Sequence, residues 1–211
     1  WIEADGETER VSSNGHTLRR EEVRPGGRVS IDEIGNRITK TYDANDNLVK
    51  QEFGDGSFLS FTYDSRNNML VRTDELGIET RYTYNDQGQP LTVRKAYHTV
   101  DEQTTTHQYD TNGNLISTTL NLESGPAVTR YQYDDRDNQI AVIDALGAKT
   151  TASYDFLGNA LNTTNAAGLS TSMRYDAKGQ LLSITAPDGR SLSTTYDAAG
   201  RETSMREHTS N

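Results

Sequence analysis

Asp, Asn, His and Ser are the residues of this chain with chemistry to offer, and their spacing decides which chemistry that is. Two stretches, Asp43-Ala44-Asn45-Asp46-Asn47 and Asp110-Thr111-Asn112-Gly113-Asn114, read Asp-x-Asn-x-Asn, like the opening of a calcium loop. The sixth position, however, is Leu48 or Leu115 where such a loop needs Gly, and no Glu stands at position 12. These residues are better read as turn formers that bond their own backbone. His16, His98, His107 and His208 are isolated, and none pairs with another at metal-ligand spacing. There is no Cys, so disulfides and thiolate sites are excluded. There is no Gly-x-Ser-x-Gly elbow. The carboxylates recur evenly along the chain, which is not the paired arrangement a glycosidase cleft needs. We therefore expect no catalytic residue, no cofactor and no metal, and read the chain as non-enzymatic.

The even recurrence is itself the main signal. Tyr anchors stand at Tyr42, Tyr63, Tyr84, Tyr109, Tyr133, Tyr154, Tyr175 and Tyr196, five of their intervals being 21 residues and the other two 25 and 24. A fixed period of this size marks a repeat architecture. The anchor is followed by Asp43, Asp64, Asn85, Asp110, Asp134, Asp155, Asp176 and Asp197. Four after the anchor come Asp46, Asn67, Gly88, Gly113, Asp137, Gly158, Gly179 and Gly200, residues that tolerate a left-handed backbone. Asp or Asn opens a turn and Gly, Asn or Asp closes it, so Tyr-Asp-x-x-Gly reads as a strand end plus a tight hairpin turn. Seven after the anchor lie Val49, Leu70, Leu91, Ile116, Ile140, Leu161 and Leu182, with Thr203 in the last unit, which fits the start of a return strand. Gly56, Gly77, Gly147, Gly168 and Gly189, fourteen after their anchors, mark a second turn. The two long intervals carry their extra residues around Tyr97 to Gln103 and Glu123 to Pro126, and are read as longer hairpin tips. Phe61, Tyr82, Tyr131 and Met173, two before an anchor, share its face of the strand. An in-phase Tyr series is read as packing, ring against ring from unit to unit.

Such units make an all-β fold, an extended and twisted antiparallel sheet of about 16 short strands. Residues 29–211 are assigned to the repeat array. Residues 1–28, with turn signals at Asp5-Gly6, Asn14-Gly15 and Pro25-Gly26-Gly27, are assigned to a degenerate repeat or irregular lead-in. Since the chain opens on Trp1, it is expected to be a piece of something longer. The net charge of -10 argues against nucleic acid as a partner, and no stretch is apolar for long enough to span a membrane.

The Tyr-Asp-x-x-Gly phrase on a 21-residue pitch resembles the YD repeat of the RHS (rearrangement hotspot) family, over about residues 29 to 211. The resemblance implies a sheet that spirals into a shell around a C-terminal toxin domain, in bacterial toxins and toxin complexes, with relatives among wall-associated proteins and teneurins. It implies a secreted or cell-surface bacterial protein whose partners are the rest of its own shell and the enclosed toxin. No self-cleavage segment or toxin domain is found after Tyr196. The alternative is a cell-surface or wall-associated module that holds carbohydrate on a sheet lined with Tyr, Asn and Asp. In isolation, exposed strand edges are expected to lead to self-association.

Overall fold

The computed structural model describes residues 2–4, 7–11, 17–24, 27–32 and 37–209. Among the described residues every regular element is a strand and every pairing is antiparallel. The turn signals at Asp5-Gly6, Asn14-Gly15 and Pro25-Gly26 lie outside the described residues. No helix among the described residues is long and apolar enough to cross a membrane.

The chain divides into two compact units, residues 1–106 and 107–211. The first holds β1 (Ile2–Ala4), β2 (Glu7–Val11), β3 (Thr17–Arg24), β4 (Gly27–Asp32), β5 (Arg37–Tyr42), β6 (Leu48–Phe53), β7 (Phe58–Tyr63), β8 (Met69–Thr73), β9 (Glu79–Tyr84) and β10 (Pro90–Lys95). The strand β11 (Gln103–Tyr109) spans the division. The second unit continues with β12 (Leu115–Leu122), β13 (Gly125–Tyr133), β14 (Gln139–Ile143), β15 (Lys149–Tyr154), β16 (Ala160–Thr164), β17 (Ser170–Tyr175), β18 (Leu181–Thr185), β19 (Ser191–Tyr196) and β20 (Glu202–His208). Within each unit the paired strands are consecutive ones, so the chain meanders as hairpin upon hairpin. The all-β hairpin array read from the sequence is therefore the fold.

Thr, Val, Ile and Tyr suit the pleated surface of these strands, and Asp and Gly interrupt them every few residues. Both turns of a 21-residue unit are the same device. Asp155 N–H bonds the carbonyl of Asn159, and Gly158 N–H bonds the carbonyl of Asp155. Asn165 with Leu169 and Gly168 repeats the pattern at the second turn. This is a three-residue hairpin loop whose last residue is left-handed. Gly158 has φ 85, and Asp46, Asn67 and Asp137 take the same place at φ 61, 65 and 62.

Two details differ from the sequence reading. The return strand starts six residues after the anchor, at Leu48, Met69, Ala160 or Leu181. Tyr42 faces Leu48 while Thr41 faces Lys50, so Val49 is the extra residue of a β-bulge, and Leu70, Leu161 and Leu182 are the same in their units. A bulge sharpens the local twist and bends the strand. Only pairing register reveals it, because an apolar residue suits a bulge and a strand start equally well. The second difference concerns the long interval before Tyr133. Its additional residues lengthen β12 and β13, joined by the two-residue turn Glu123–Ser124, and Pro126 sits inside β13. The ladder can be extended there because Asn121 and Leu122 find partners in Pro126 and Gly125.

Among the described residues only Val29 and Ala141 are apolar side chains exposed by less than a twentieth, at 2% and 4%. Among the described residues, the strand contacts within each unit are between consecutive strands. Stability therefore comes from cross-strand pairs and turns, summed from neighbour to neighbour.

The glycines test this account. Gly200 is left-handed, and a Cβ built on it would lie 3.1 Å from Gln180 Nε2, whereas one built on Gly168, also left-handed, meets nothing within 4 Å. Gly168→Ala should cost about 1–2 kcal/mol from backbone strain alone. Gly200→Ala should cost more, as the Gln180 amide must also move. Thermal or urea unfolding of the two variants measures the difference, and equal losses would show that the turns do not press on each other.

Candidate functional site

The residues singled out by the sequence lie along the turn-bearing rim of each unit. Asp43 Oδ1 accepts the backbone N–H groups of Asn45 and Asn47, at 2.9 Å each, and its Oδ2 accepts Asn47 Nδ2 at 3.0 Å. Asp64, Asp110, Asp134 and Asp155 hold Asn68, Asn114, Asn138 and Asn159 in the same way. Asn85 Oδ1 accepts the Gln89 N–H while its Nδ2 donates to Gln89 Oε1, Asp176 accepts the Gln180 N–H, and Asp197 pairs with Arg201. The fifth residue after the anchor is thus a working part of the motif. The sequence reading passed over it, although Asn or Gln stands there in seven of eight units. The two Asp-x-Asn-x-Asn stretches belong to this system, their carboxylates engaged by neighbouring amides.

These amides also tie one turn to the next. Asn47 Nδ2 donates to Asn67 Oδ1 at 2.8 Å, and Asn114 Nδ2 to Asp137 Oδ1 at 2.6 Å. Gln180 Nε2 donates to the Gly200 carbonyl at 3.1 Å, and Arg66 Nη1 to the Asp86 carbonyl at 2.7 Å. Gly88 and Gly113 occupy the closing position of their turns, at φ 78 and 92, and Gly179 has φ 80.

The anchor tyrosines act through their hydroxyls. Pairing of β6 with β7 stops at Lys50 and Ser60, and beyond it the Leu48 carbonyl has left the ladder. The Tyr63 hydroxyl donates to that carbonyl at 2.9 Å. Tyr84 reaches Met69, Tyr133 reaches Leu115, Tyr154 reaches Gln139 and Tyr196 reaches Leu181 in the same way, at 2.8–3.0 Å. Each Tyr bridges the place where two neighbouring hairpins part. Tyr42, Tyr109 and Tyr175 are half-buried at the equivalent strand ends. The expected ring-to-ring contact is replaced by this bond; among the described residues the one stacked ring pair is Tyr97 on His98, at 4.0 Å.

That pair belongs to the seven-residue loop 96–102 between β10 and β11. The Arg81 and Arg94 guanidinium groups lie 3.9 and 4.5 Å from the Tyr97 ring centre. Arg94 also holds Glu102, whose other oxygen accepts the His98 N–H. Ala96 and His98 are left-handed, at φ 51 and 60, and Val100 at the tip is fully exposed. The loop is built around its one Tyr, with Glu102 held by Arg94 of β10.

Acid–base behaviour follows from the turns. The amide of the fifth-position Asn is the largest cause holding Asp43, Asp64, Asp134 and Asp155 below the usual carboxylate range. For Asp110 and Asp197 the largest cause is the backbone N–H of Asn114 or Arg201. Burial pushes the phenols of Tyr63, Tyr84 and Tyr133 up, so they remain donors. Lowered carboxylates contribute stability that is complete above their unfolded value of about 3.9 and is lost as pH falls through the folded values. Raised phenols contribute stability that is complete below about 10 and is lost as pH rises through theirs.

Two measurements check these roles. Tyr84→Phe should cost about 0.5–1.5 kcal/mol in urea unfolding, the worth of one hydrogen bond, since the Met69 carbonyl loses its donor. Far-UV circular dichroism should show unfolding below about pH 4. A triple variant Asp43→Asn, Asp64→Asn, Asp155→Asn keeps the turn acceptors, as Asn85 does, and should move the acid midpoint to lower pH. An unmoved midpoint would show that these carboxylates do not carry the acid response.

Comparison with known proteins agrees with this geometry. The Teneurin YD-shell family matches residues 38–124, and the RHS Repeat family matches residues 109–149, 154–191 and 175–207. The tRNA3(Ser)-specific nuclease WapA of Bacillus spizizenii is 33% identical over 114 residues, 54% of this chain and 4% of that relative. The crystal structure of TcdB2-TccC3 is similar over 96% of this chain and 14% of its own, with 16% identity and a TM-score of 0.54. The form without the hypervariable C-terminal region gives the same coverage and TM-score at 15% identity. This chain therefore spans a small part of the proteins it resembles. Between residues 38 and 207 the two family matches leave out only 150–153. With its anchors, turns and pitch, the chain belongs to the RHS/YD-repeat family.

Proposed function

We propose that the chain is a non-enzymatic wall segment of an RHS/YD-repeat shell that encloses a C-terminal toxin domain for delivery by a secreted or cell-surface bacterial protein. The observation that carries this reading is the unit itself. Its Tyr and Asp side chains are committed to carbonyls, backbone N–H groups and Asn amides of the same wall. A motif spent on holding its neighbours builds a surface, and its function lies in what the surface encloses. Residues 29–211 form the repeat array, with the anchor tyrosines as bridging rungs and the Asp, Asn and Gly positions as its turns. Residues 1–28 extend it as a degenerate unit. The partners are the rest of the shell and the enclosed domain. The TcdB2-TccC3 likeness supports the architecture, and the family matches support the repeat.

The strand β20 pairs with β19 along Glu202 to His208. In the isolated chain this edge is expected to recruit another strand. Sedimentation at rising concentration should show self-association, and a strictly monomeric state at high concentration would count against it. The shell reading is tested by limited proteolysis of the full-length protein that carries this segment. The enclosed domain should survive while the shell is intact and be digested once substitutions such as Gly158→Val and Gly200→Val open the wall. Digestion of that domain at the same rate with and without an intact wall would overturn the proposal.

A further inference from the structure

One dipeptide in the turns is set apart by its chemistry. The closing position of the turn after each anchor is left-handed and favours Gly, and in five units Gly stands there, preceded by Gln87, Asn112, Leu157, Lys178 and Ala199. Of these, Asn112 alone has a side-chain carbonyl at the right reach to close a small ring on the next backbone nitrogen; Gln87 is one methylene longer. Asn45 holds the same turn position as Asn112, but it is followed by Asp46, whose side chain obstructs that nitrogen. Asp55-Gly56 and Asp188-Gly189 close the same ring only through the protonated acid. The Ser57 hydroxyl and the Arg190 backbone N–H hold those two carboxyls below the usual carboxylate range. The chain has one other Asn-Gly, Asn14-Gly15, outside the described residues.

The geometry around Asn112 both exposes and restrains it. The residue is open to water. Its backbone N–H donates to Asp110 Oδ1 at 2.9 Å, and its Nδ2 donates to Asp137 Oδ1 at 2.9 Å, in the turn of the next hairpin. The Gly113 N–H donates to the Asp110 carbonyl at 3.1 Å. The nitrogen that would attack is thus tied to its own turn, and the amide it would attack is tied to the next one. Both ties must open before the two atoms meet, so reaction follows local opening and not exposure alone.

We propose that Asn112 is a self-modifying site, which converts to aspartate and isoaspartate at a rate set by the opening of its turn. The Gly113 nitrogen bonds to Asn112 Cγ and gives up its proton, while the Cγ–Nδ2 bond breaks and ammonia leaves with that proton. Water then adds to one of the two carbonyls of the resulting succinimide and breaks that carbonyl's bond to the ring nitrogen. Opening at Cγ yields aspartate, and opening at the main-chain carbonyl yields isoaspartate; nothing is oxidised or reduced. Aspartate puts a carboxylate where an amide had donated, so Asp137 then faces a like charge and the tie between the two hairpins turns repulsive. Isoaspartate lengthens the main chain by one atom inside a hairpin loop of fixed length. At this one pair of turns the array loosens with age. The site is independent of the shell reading.

The test incubates the 211-residue chain at mildly alkaline pH, folded or in urea, and follows Asn112 by peptide mapping that resolves Asn, Asp and isoaspartate. Conversion should be measurable in the folded chain and roughly tenfold or more faster in urea, where no turn has to open first. Asn45 should stay intact in the folded chain. Asp137→Gly removes the acceptor of the Asn112 amide and keeps a residue that closes the turn. It should speed conversion in the folded chain by roughly threefold or more, as expected for one lost hydrogen bond. Asn67→Gly, the same kind of change at a turn that Asn112 does not touch, should leave the rate as it is. Asn112→Asp should lower the urea midpoint of unfolding, whereas Asn45→Asp, whose side chain crosses to no other turn among the described residues, should not. Circular dichroism of each variant separates faster conversion from lost folding. No conversion in the folded chain, equal rates folded and in urea, Asn45 converting as fast as Asn112, or a rate indifferent to Asp137→Gly would each overturn the proposal. An unchanged midpoint for Asn112→Asp would overturn the loosening.

Discussion

A hydrogen bond from a tyrosine hydroxyl to a stray carbonyl is the constraint on which the array depends. Wherever a hairpin turns, its two strands continue pairing while the pairing to the neighbouring hairpin ends. The Leu48, Met69, Gln139 and Leu181 carbonyls all lie just past such an end. Without a donor the hairpins would splay and the rim would open to solvent. Tyr63, Tyr84, Tyr154 and Tyr196 supply that donor from the next unit, with the aromatic ring covering the gap. Phe would cover the gap and leave the carbonyl unmet; Ser would meet neither need. The residue type follows from the geometry of the gap.

Around that bond the turn is over-determined. The opening Asp accepts two backbone N–H groups with one oxygen and an Asn amide with the other. Some of those amides then touch the closing residue of the following turn. A Cβ built on Gly200 would lie only 3.1 Å from Gln180 Nε2, so little room is left there. With only two well-buried apolar side chains among the described residues, this polar lattice takes on part of the role that a core has elsewhere. Such a wall is rigid locally and indifferent to length, because each unit depends on its neighbours alone. It is also exposed to acid, since the lattice needs its carboxylates ionised.

The same economy sorts the charges. In the second unit most acidic side chains stand at the turns, where the backbone N–H groups need them. The loop 96–102 follows another logic, with Tyr97 beside two guanidinium groups, one of which also holds Glu102.

The sequence by itself determined the period, the strands and the turn positions. Those follow from local physics: Tyr and Thr favour strands, Asp opens turns, and Gly158 or Gly179 closes them in a backbone region other residues avoid. The fifth-position Asn was legible too, as a plain recurrence at Asn47, Asn68 and Asn138, and was missed because it neither bends the chain nor adds to its apolar pattern. The tertiary structure alone decided what depends on register. It made Val49 a bulge rather than a strand start, and it turned the Glu123 to Pro126 insertion into longer strands. It also converted the tyrosine ladder from stacked rings into hydroxyl bridges, because the hydroxyl's partner lies fifteen residues back in Tyr84 and eighteen in Tyr133. Which side chains meet across neighbouring turns, as Asn112 meets Asp137, is likewise a property of paired strands and not of any one of them.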